Sequence, residues 1–371
     1  MNIADSLKVA AGAVIVLSTL YDVFQGVVLP RPAVGRFRLG RWLVRLGWKA
    51  WRAVAERPGR VRIREAALAA YAPSMVVALL VTWAVALVLG YALMYSGLHD
   101  GLHPAPGSFG AAIYFSAGRM LAFPAASIEA TGLATPLLTS VEAATGFGLF
   151  ALVISLLFSL VTSFQRRETA VVALEGLAGA PPSGVQLLET CAKFQMPQHL
   201  EATFETWRVW TADVLESHLS YPLLFYFRSS HDNDAWPNSF GAVMDAAVLV
   251  MSVVKSGPQG PAHLMYKVGV HFAEDMRQTL GFDYESAAGV EESEFLEACF
   301  RLQRAGYDLR DMDSGWEEFR RLRSSYGTWL NLVARALAVQ PAPWIGDRSY
   351  LPHRDGAWAG QAGSHPAQPA L

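Results

Sequence analysis

The stretch from Phe109 to Gln165 constrains the fold of this chain more than any other. It begins with a short apolar segment, FGAAIYFSAGRML, continues through a loop, AFPAASIEATG, and ends in a long apolar run that stops at Arg166 and Arg167. The first segment is too short to cross a bilayer, whereas the second is long enough. Non-helical backbone is tolerated at membrane depth only where protein buries it or where it lines a water-filled cavity. The sequence therefore predicts a re-entrant hairpin, made of a half-length helix, a loop and a full-length helix, that forms a pore or a binding site.

The composition indicates a membrane protein with a sizeable soluble part. Apolar residues make up 52% of the 371-residue chain and charged residues only 17%, below the roughly one quarter that is usual for soluble proteins. The two cysteines, Cys191 and Cys299, are too few for a disulfide framework, and we expect both to be buried thiols in a reducing compartment.

Two further membrane spans are predicted before the hairpin. The first covers Val9 to Pro30. A signal peptide is the alternative, but the run is longer than a signal-peptide core and does not end in a small-residue cleavage site. Asp22 lies inside this span and is expected to face other helices or to pair with a nearby arginine; a functional intramembrane acid is the alternative. The second span is predicted over about Pro73 to Tyr95, within an uncharged run.

The segment between these two spans is basic and aromatic. Eleven lysines and arginines but only one acid lie between Arg31 and Arg64. A helix of this segment is amphipathic, which is typical of a helix on an anionic leaflet, with Trp42, Trp48 and Trp51 near the headgroups. Membrane lipids are therefore the predicted partner, and the position between two spans disfavours nucleic acid. Because short arginine-rich loops stay in the cytoplasm, we expect an inner (plasma) membrane protein whose N-terminus is outside and whose C-terminal half is inside.

The C-terminal half has helical periodicity and little strand signal. Pro181-Pro182-Ser183 and Lys255-Ser256-Gly257-Pro258 interrupt it, and the chain from about Gln340 predicts a mobile tail. The candidate helices are Glu168–Leu177, Val185–Phe194, Pro197–Leu215, Trp236–Val254, Ala262–Leu280, Glu291–Ala305 and Gly315–Ala338.

Several segments resemble a known family. They are Asp22-Val23-Phe24, Val28-Leu29-Pro30-Arg31, Arg36-Phe37-Arg38, Tyr114-Phe115-Ser116 and SHLSYPLLFYFRSSHDNDAW from Ser217 to Trp236. Together they resemble a group of bacterial potassium-channel-like proteins, which have a two-helix pore domain, an extra N-terminal membrane helix and an α-helical cytoplasmic domain. The resemblance implies an all-α membrane protein with three transmembrane helices and a re-entrant pore helix. One pore unit per chain implies a homotetramer.

The residue patterns and the resemblance together predict five parts of the chain. They are an N-terminal transmembrane helix (1–30), a basic amphipathic cytoplasmic loop (31–65), a pore domain (66–167), a helical cytoplasmic domain (168–339) and a flexible tail (340–371).

The filter-like loop departs from the family, which carries Thr-x-Gly-x-Gly-Asp after the pore helix. Here the loop is Ala122, Phe123, Pro124, Ala125, Ala126 and Ser127. Carbonyls that all point at an ion axis need backbone conformations that glycine tolerates. Pro124 fixes φ near −65°, and the Cβ of Ala126 opposes φ > 0. The sequence therefore predicts that no potassium filter of the family's geometry forms.

Three charged residues and two glycines of the hairpin are candidates for function. Arg119 either complements the C-terminal dipole of the pore helix or forms a ring near the pore axis. Glu129 is its expected partner or an acid at the mouth of the pore, and Glu142 is expected to face the pore or a polar network. Gly146 and Gly148 are either a gating hinge or close-packing positions.

No enzyme motif is present, and we expect no enzyme activity and no cofactor. A metal site is one interpretation of His218, His231, Asp232 and Asp234; an ordinary polar turn that caps the next helix is the other. The predicted function is an ion-channel-like protein that is non-selective or altered in selectivity. The alternative is a non-conducting membrane scaffold or sensor with a regulatory helical domain.

Overall fold

A computed structural model describes residues 2–28, 39–56, 61–123, 128–229, 235–281, 289–339 and 344. Helices account for most of these residues, so the expected all-α class is confirmed. The chain forms two compact units: the first reaches Thr162 and includes Ser220–Phe227, and the second contains Ser163–Leu219 and the chain from Arg228 onward.

The first unit contains four helices and the first part of a fifth. They are α1 (Ile3–Val23, continued by a π-helical turn Phe24–Val28), α2 (Leu39–Ala55), α3 (Val61–Gly97), α4 (Phe109–Met120) and α5 (Ala134–Ala178), with the short strands β1 (Leu102–His103) and β2 (Glu129–Ala130) on either side of α4. The three apolar stretches Ile3–Val27, Ile63–Gly97 and Ala134–Ala178 are long and apolar enough to cross a membrane. The 12 residues of α4 are not, because they extend only about 18 Å.

Helices α1 and α3 lie against each other at glycines. A Cβ on Gly12 would collide with the backbone carbonyl of Gly90, and a Cβ on Gly97 would collide with that of Asp5. Further along, the indole Nε1 of Trp83 donates a hydrogen bond to Oδ2 of Asp22 at 2.9 Å. Asp22 thus faces another helix, as expected, and its partner is an indole.

The expected position of the tryptophans of α2 is wrong for Trp48. Its ring is 7% exposed and lies 4.9 Å from the Tyr71 ring and 5.2 Å from the Tyr226 ring, so it is inside the protein. Tyr226 belongs to a 3₁₀ turn, Pro222–Tyr226, which is part of the first unit. The aromatic face of α2 is therefore used to pack α2 on α3, and the side chain of Trp42 lies outside the described residues.

In the second unit, one central helix is enclosed by the other helices. It contains the end of α5 together with α6 (Gly184–Lys193), α7 (Pro197–Ser220), α8 (Trp236–Ser252), α9 (Gln259–Leu280), α10 (Glu292–Arg304) and α11 (Met312–Leu337). Every residue of α8 except Met251 is buried. Its one acid, Asp245, accepts hydrogen bonds from Arg323 Nε at 2.8 Å and from the Tyr326 hydroxyl at 2.6 Å. A buried carboxylate is tolerated where such donors satisfy it.

The predicted helices of this half agree with the structure within a few residues, with one difference. Glu168–Leu177 is not a separate helix, because α5 continues to Ala178 without interruption. The sequence between Arg166 and Ala178 has Gly176 but no proline, so nothing ends the helix at the arginine pair. Cys191 and Cys299 are buried free thiols as expected, and burial raises the pKa of Cys299 to about 11. The predicted tail, 340–371, lies outside the described residues apart from Trp344.

Candidate functional site

The chain segments before and after α4 are paired with each other. Strand β1 before α4 pairs antiparallel with β2 after it, with Leu102 opposite Ala130 and His103 opposite Glu129. The Thr131 amide also donates to the Gly101 carbonyl at 2.8 Å. The segment that contains α4 and its loop therefore begins and ends at the β1–β2 pair, between α3 and α5.

The C-terminus of α4 is closed by its own backbone. The Ala122 amide donates to the Arg119 carbonyl at 3.1 Å, and the Phe123 amide donates to the Gly118 carbonyl at 2.8 Å. Ala122 has φ 57°, the left-handed conformation that this pair of bonds requires and that glycine normally occupies. The Leu121 amide binds the Ala117 carbonyl at 3.1 Å. Three of the last four carbonyls of α4 are thus occupied by the chain itself.

The described part of the filter-like loop is apolar and exposed. Ala122 and Phe123 are both exposed in the single chain, where Phe123 has 67% of its surface accessible, as has Leu121 just before the loop. Pro124, Ala125, Ala126 and Ser127 lie outside the described residues, so their predicted backbone stays a prediction.

Glu142 joins three helices. It lies on α5, is fully buried, and accepts a hydrogen bond from the Tyr95 hydroxyl of α3 at 2.6 Å and one from the Ser116 hydroxyl of α4 at 2.5 Å. Ser116 also lies 3.0 Å from the Val88 carbonyl of α3. Its hydroxyl has one proton, so it donates to one of these two acceptors at a time. This is the polar network that was one of the two expected environments, and a role as pore charge stays a prediction.

Arg119 and Glu129 do not pair as expected. The guanidinium of Arg119 lies 5.1 Å from the centre of the Phe115 ring, and its buried Nε has no hydrogen-bond partner in the described part of the chain. Glu129 is exposed in β2, and no ion pair joins the two side chains there. The expected pair is absent because β2 pairs with β1, and this pairing holds Glu129 opposite His103.

The two glycines of α5 have different environments. A Cβ on Gly146 would collide with the backbone carbonyl of Met120, the last residue of α4, whereas a Cβ on Gly148 would meet no atom within 4 Å. Gly146 is therefore a close-packing position. For Gly148 a role as a hinge stays a prediction.

Tyr91 and Tyr95, on the α3 side of this site, are not among the residues predicted from the sequence. Tyr95 binds Glu142, and Tyr91 lies 3.0 Å from the Thr145 hydroxyl of α5. The spacing of four residues between these tyrosines, in a segment with no charge, would have indicated that one face of α3 meets a polar surface.

His218 lies in the second unit and has a structural environment. Its Nδ1 is 2.8 Å from the Val214 carbonyl, which can only accept, so Nδ1 carries the proton and Nε2 accepts from Arg167 Nη1 at 3.3 Å. Burial lowers the pKa of His218 to about 3, and the charge of Arg167 adds to this effect. His231, Asp232 and Asp234 lie outside the described residues, and no metal-binding group of three side chains occurs among those described.

Comparison of the chain with models of protein families, with curated proteins and with solved structures finds no match.

Proposed function

We propose that this protein is a channel-like membrane protein in which α4 and its loop form a re-entrant hairpin that does not select potassium over sodium. Two observations support the hairpin. Three helices are long and apolar enough to cross a membrane, and β1 pairs with β2 on either side of α4, a helix too short to cross one. The resemblance to bacterial potassium-channel-like proteins adds a homotetramer, an inner-membrane location and a cytoplasmic second unit to the proposal.

The backbone conformation at the end of α4 is unfavourable for a potassium filter. A potassium filter replaces the hydration shell with successive rings of backbone carbonyls. In this chain the backbone at Ala122 turns into the left-handed region and folds back to bind the carbonyls of Gly118 and Arg119. These amides close the helix end, and the next side chain, Phe123, is apolar. The start of the loop thus supplies an apolar constriction, which favours gating by dewetting over selective coordination.

Conduction with altered selectivity is the first form of the proposal. Arg119 places a cation in the last turn of α4, and a ring of four such cations would oppose cations and favour anions. A non-conducting scaffold or sensor is the second form. It is favoured by Glu142, because hydrogen bonds to α3 and α4 hold its carboxylate inside the chain.

Current recording in planar bilayers tests the proposal. Purified full-length protein is reconstituted and recorded in planar bilayers with unequal potassium and sodium, and then with unequal chloride. We expect either a current with a reversal potential far from that of potassium or no current. A reversal potential that follows the potassium gradient in the presence of sodium refutes the proposal.

A variant separates the two forms. If Phe123 forms the constriction, Phe123→Ala widens an apolar gate and raises the current, whereas Phe109→Ala is the control because Phe109 is an exposed phenylalanine at the other end of α4. A scaffold gives no current with either variant.

A further inference from the structure

Helix α2 has three distinct faces. The first face packs on α3: the Trp51 indole donates to the Ala67 carbonyl at 2.8 Å, and the Tyr71 hydroxyl donates to the Val44 carbonyl. Trp48 lies on the same face and is buried. Trp48 and Trp51 thus both contact Tyr71 of α3.

The second face is apolar and points away from α3. Leu46 is 53% exposed and Val54 is 60% exposed, and Ala50 and Ala53 are exposed between them. These residues lie on the side of the helix opposite Trp48, because a turn takes 3.6 residues. In water this face would be an exposed apolar surface, which needs a partner.

The third face is basic and lies between the other two. Arg45, Lys49 and Arg52 follow one another at spacings of four and three residues, so they form a row along the helix. Arg45 and Lys49 are exposed, and Arg52 binds Glu56 at 2.7 Å. This row borders the outward apolar face.

The depth of α2 can be worked out from its contacts on α3. The apolar stretch Ile63–Gly97 has 35 residues, which extend about 52 Å, while a hydrocarbon core is about 30 Å thick. A core centred on this stretch begins about seven residues in, near Ala70. The contacts of α2 at Ala67 and Tyr71 lie on either side of that level. Helix α2 is therefore at the boundary between headgroups and acyl chains.

From these faces and this depth, we infer that α2 is a lipid-binding surface that inserts Leu46, Ala50, Ala53 and Val54 among the acyl chains and holds anionic headgroups with Arg45 and Lys49. The basic row decides the occupant: cations beside an apolar strip at this depth are complementary to an anionic leaflet. The inference does not depend on whether the protein conducts ions. The anionic leaflet is the partner predicted from the sequence, but the apolar contact falls to Leu46, Ala50, Ala53 and Val54, because Trp48 is buried.

Nitroxide accessibility in nanodiscs tests the apolar face. Full-length Leu46→Cys and Ala53→Cys proteins are spin-labelled and placed in discs of phosphatidylcholine with phosphatidylglycerol. Leu264→Cys is the matched control, because Leu264 of α9 is also 53% exposed and lies outside the three apolar stretches. The unlabelled parent protein controls for the buried native thiols. We expect the labels at 46 and 53 to be accessible to oxygen and shielded from an aqueous nickel chelate, with the reverse at 264.

Two outcomes overturn the inference. Labels at 46 and 53 that are as aqueous as the label at 264 mean that the face does not enter lipid. Labels shielded from both oxygen and nickel, with strong spin–spin coupling between chains, mean that a second copy of this chain covers the face.

Loss of charge tests the basic row. The double variant Arg45→Gln/Lys49→Gln is compared with Arg320→Gln/Arg321→Gln, which removes two exposed arginines from α11 in the second unit. Native mass spectrometry measures phosphatidylglycerol retained by each full-length protein. Each cation near a surface changes affinity about fivefold, so the first variant should lose about 25-fold and the control little. Equal retention by the two variants overturns the headgroup assignment.

Discussion

Replacing Gly146 by alanine tests the packing of α5 on α4. The new Cβ would collide with the Met120 carbonyl and would lie 3.0 Å from the Met120 Cγ. The first contact is with backbone at the end of a helix, which cannot rotate away as a flexible side chain can. Overpacking of this kind costs about 1–3 kcal/mol. Alanine also favours the helix by about 1 kcal/mol relative to glycine.

Gly148→Ala is the matched control, because it has the same chemistry on the same helix and meets no atom within 4 Å. The helix-propensity gain is common to both variants and cancels when they are compared. The free energy of unfolding of Gly146→Ala should therefore be about 1–3 kcal/mol lower than that of Gly148→Ala. Unfolding of the full-length protein in mixed micelles by SDS, followed by circular dichroism, measures this difference. Equal stability of the two variants, or a less stable Gly148→Ala, would refute the close approach of α5 and α4.

Three further predictions concern Ala122, Glu142 and His218. Ala122→Gly should raise the free energy of unfolding by about 1 kcal/mol, because glycine adopts the left-handed conformation without the Cβ penalty; Ala122→Val should lower it in the same SDS assay, and the opposite order would mean that Ala122 is not left-handed. Glu142→Gln should be less destabilising than Glu142→Leu, because leucine leaves the buried Tyr95 hydroxyl without an acceptor, at about 1–3 kcal/mol, whereas Ser116 can still donate to the Val88 carbonyl; equal losses would contradict the network. The His218 pKa is about 3 in the folded protein, below its usual 6.5, so the unfolded state binds more protons between these values. The His218 contribution should be full above pH 6.5 and should fall as the pH drops toward 3. Above about pH 5, where carboxylates stay ionised, the slope should disappear in His218→Gln but persist in His271→Gln, whose histidine is exposed. A slope that survives in His218→Gln would show that other groups cause it.

Local sequence determined much of the fold. Unbroken apolar runs and proline or glycine breaks located the long helices and most helices of the second unit, because these signals depend on neighbours in the sequence. The apolar run alone predicts that α5 ends at Arg166 and Arg167, but charged residues are compatible with a helix, and α5 continues to Ala178.

The candidate site was less predictable, because it depends on contacts between distant segments. Glu142 was singled out as an acid in an apolar run, but its partners lie 47 and 26 residues away along the chain, at Tyr95 and Ser116. Trp48 was assigned to the headgroups because tryptophan is common there. Tyr226, which helps to enclose it, is far away in the sequence and gave no local signal.

The close approach of α1 and α3 has a consequence for biosynthesis. Both helices leave the ribosome before α4, and their glycine contacts and the Asp22–Trp83 hydrogen bond need no later segment. The pair can therefore assemble while α4 and α5 are still being translated. Its surface already presents the Val88 carbonyl and the Tyr95 hydroxyl, to which Ser116 and Glu142 later bind. The order of synthesis thus provides a template, because α4 packs against a surface that α1 and α3 have already formed.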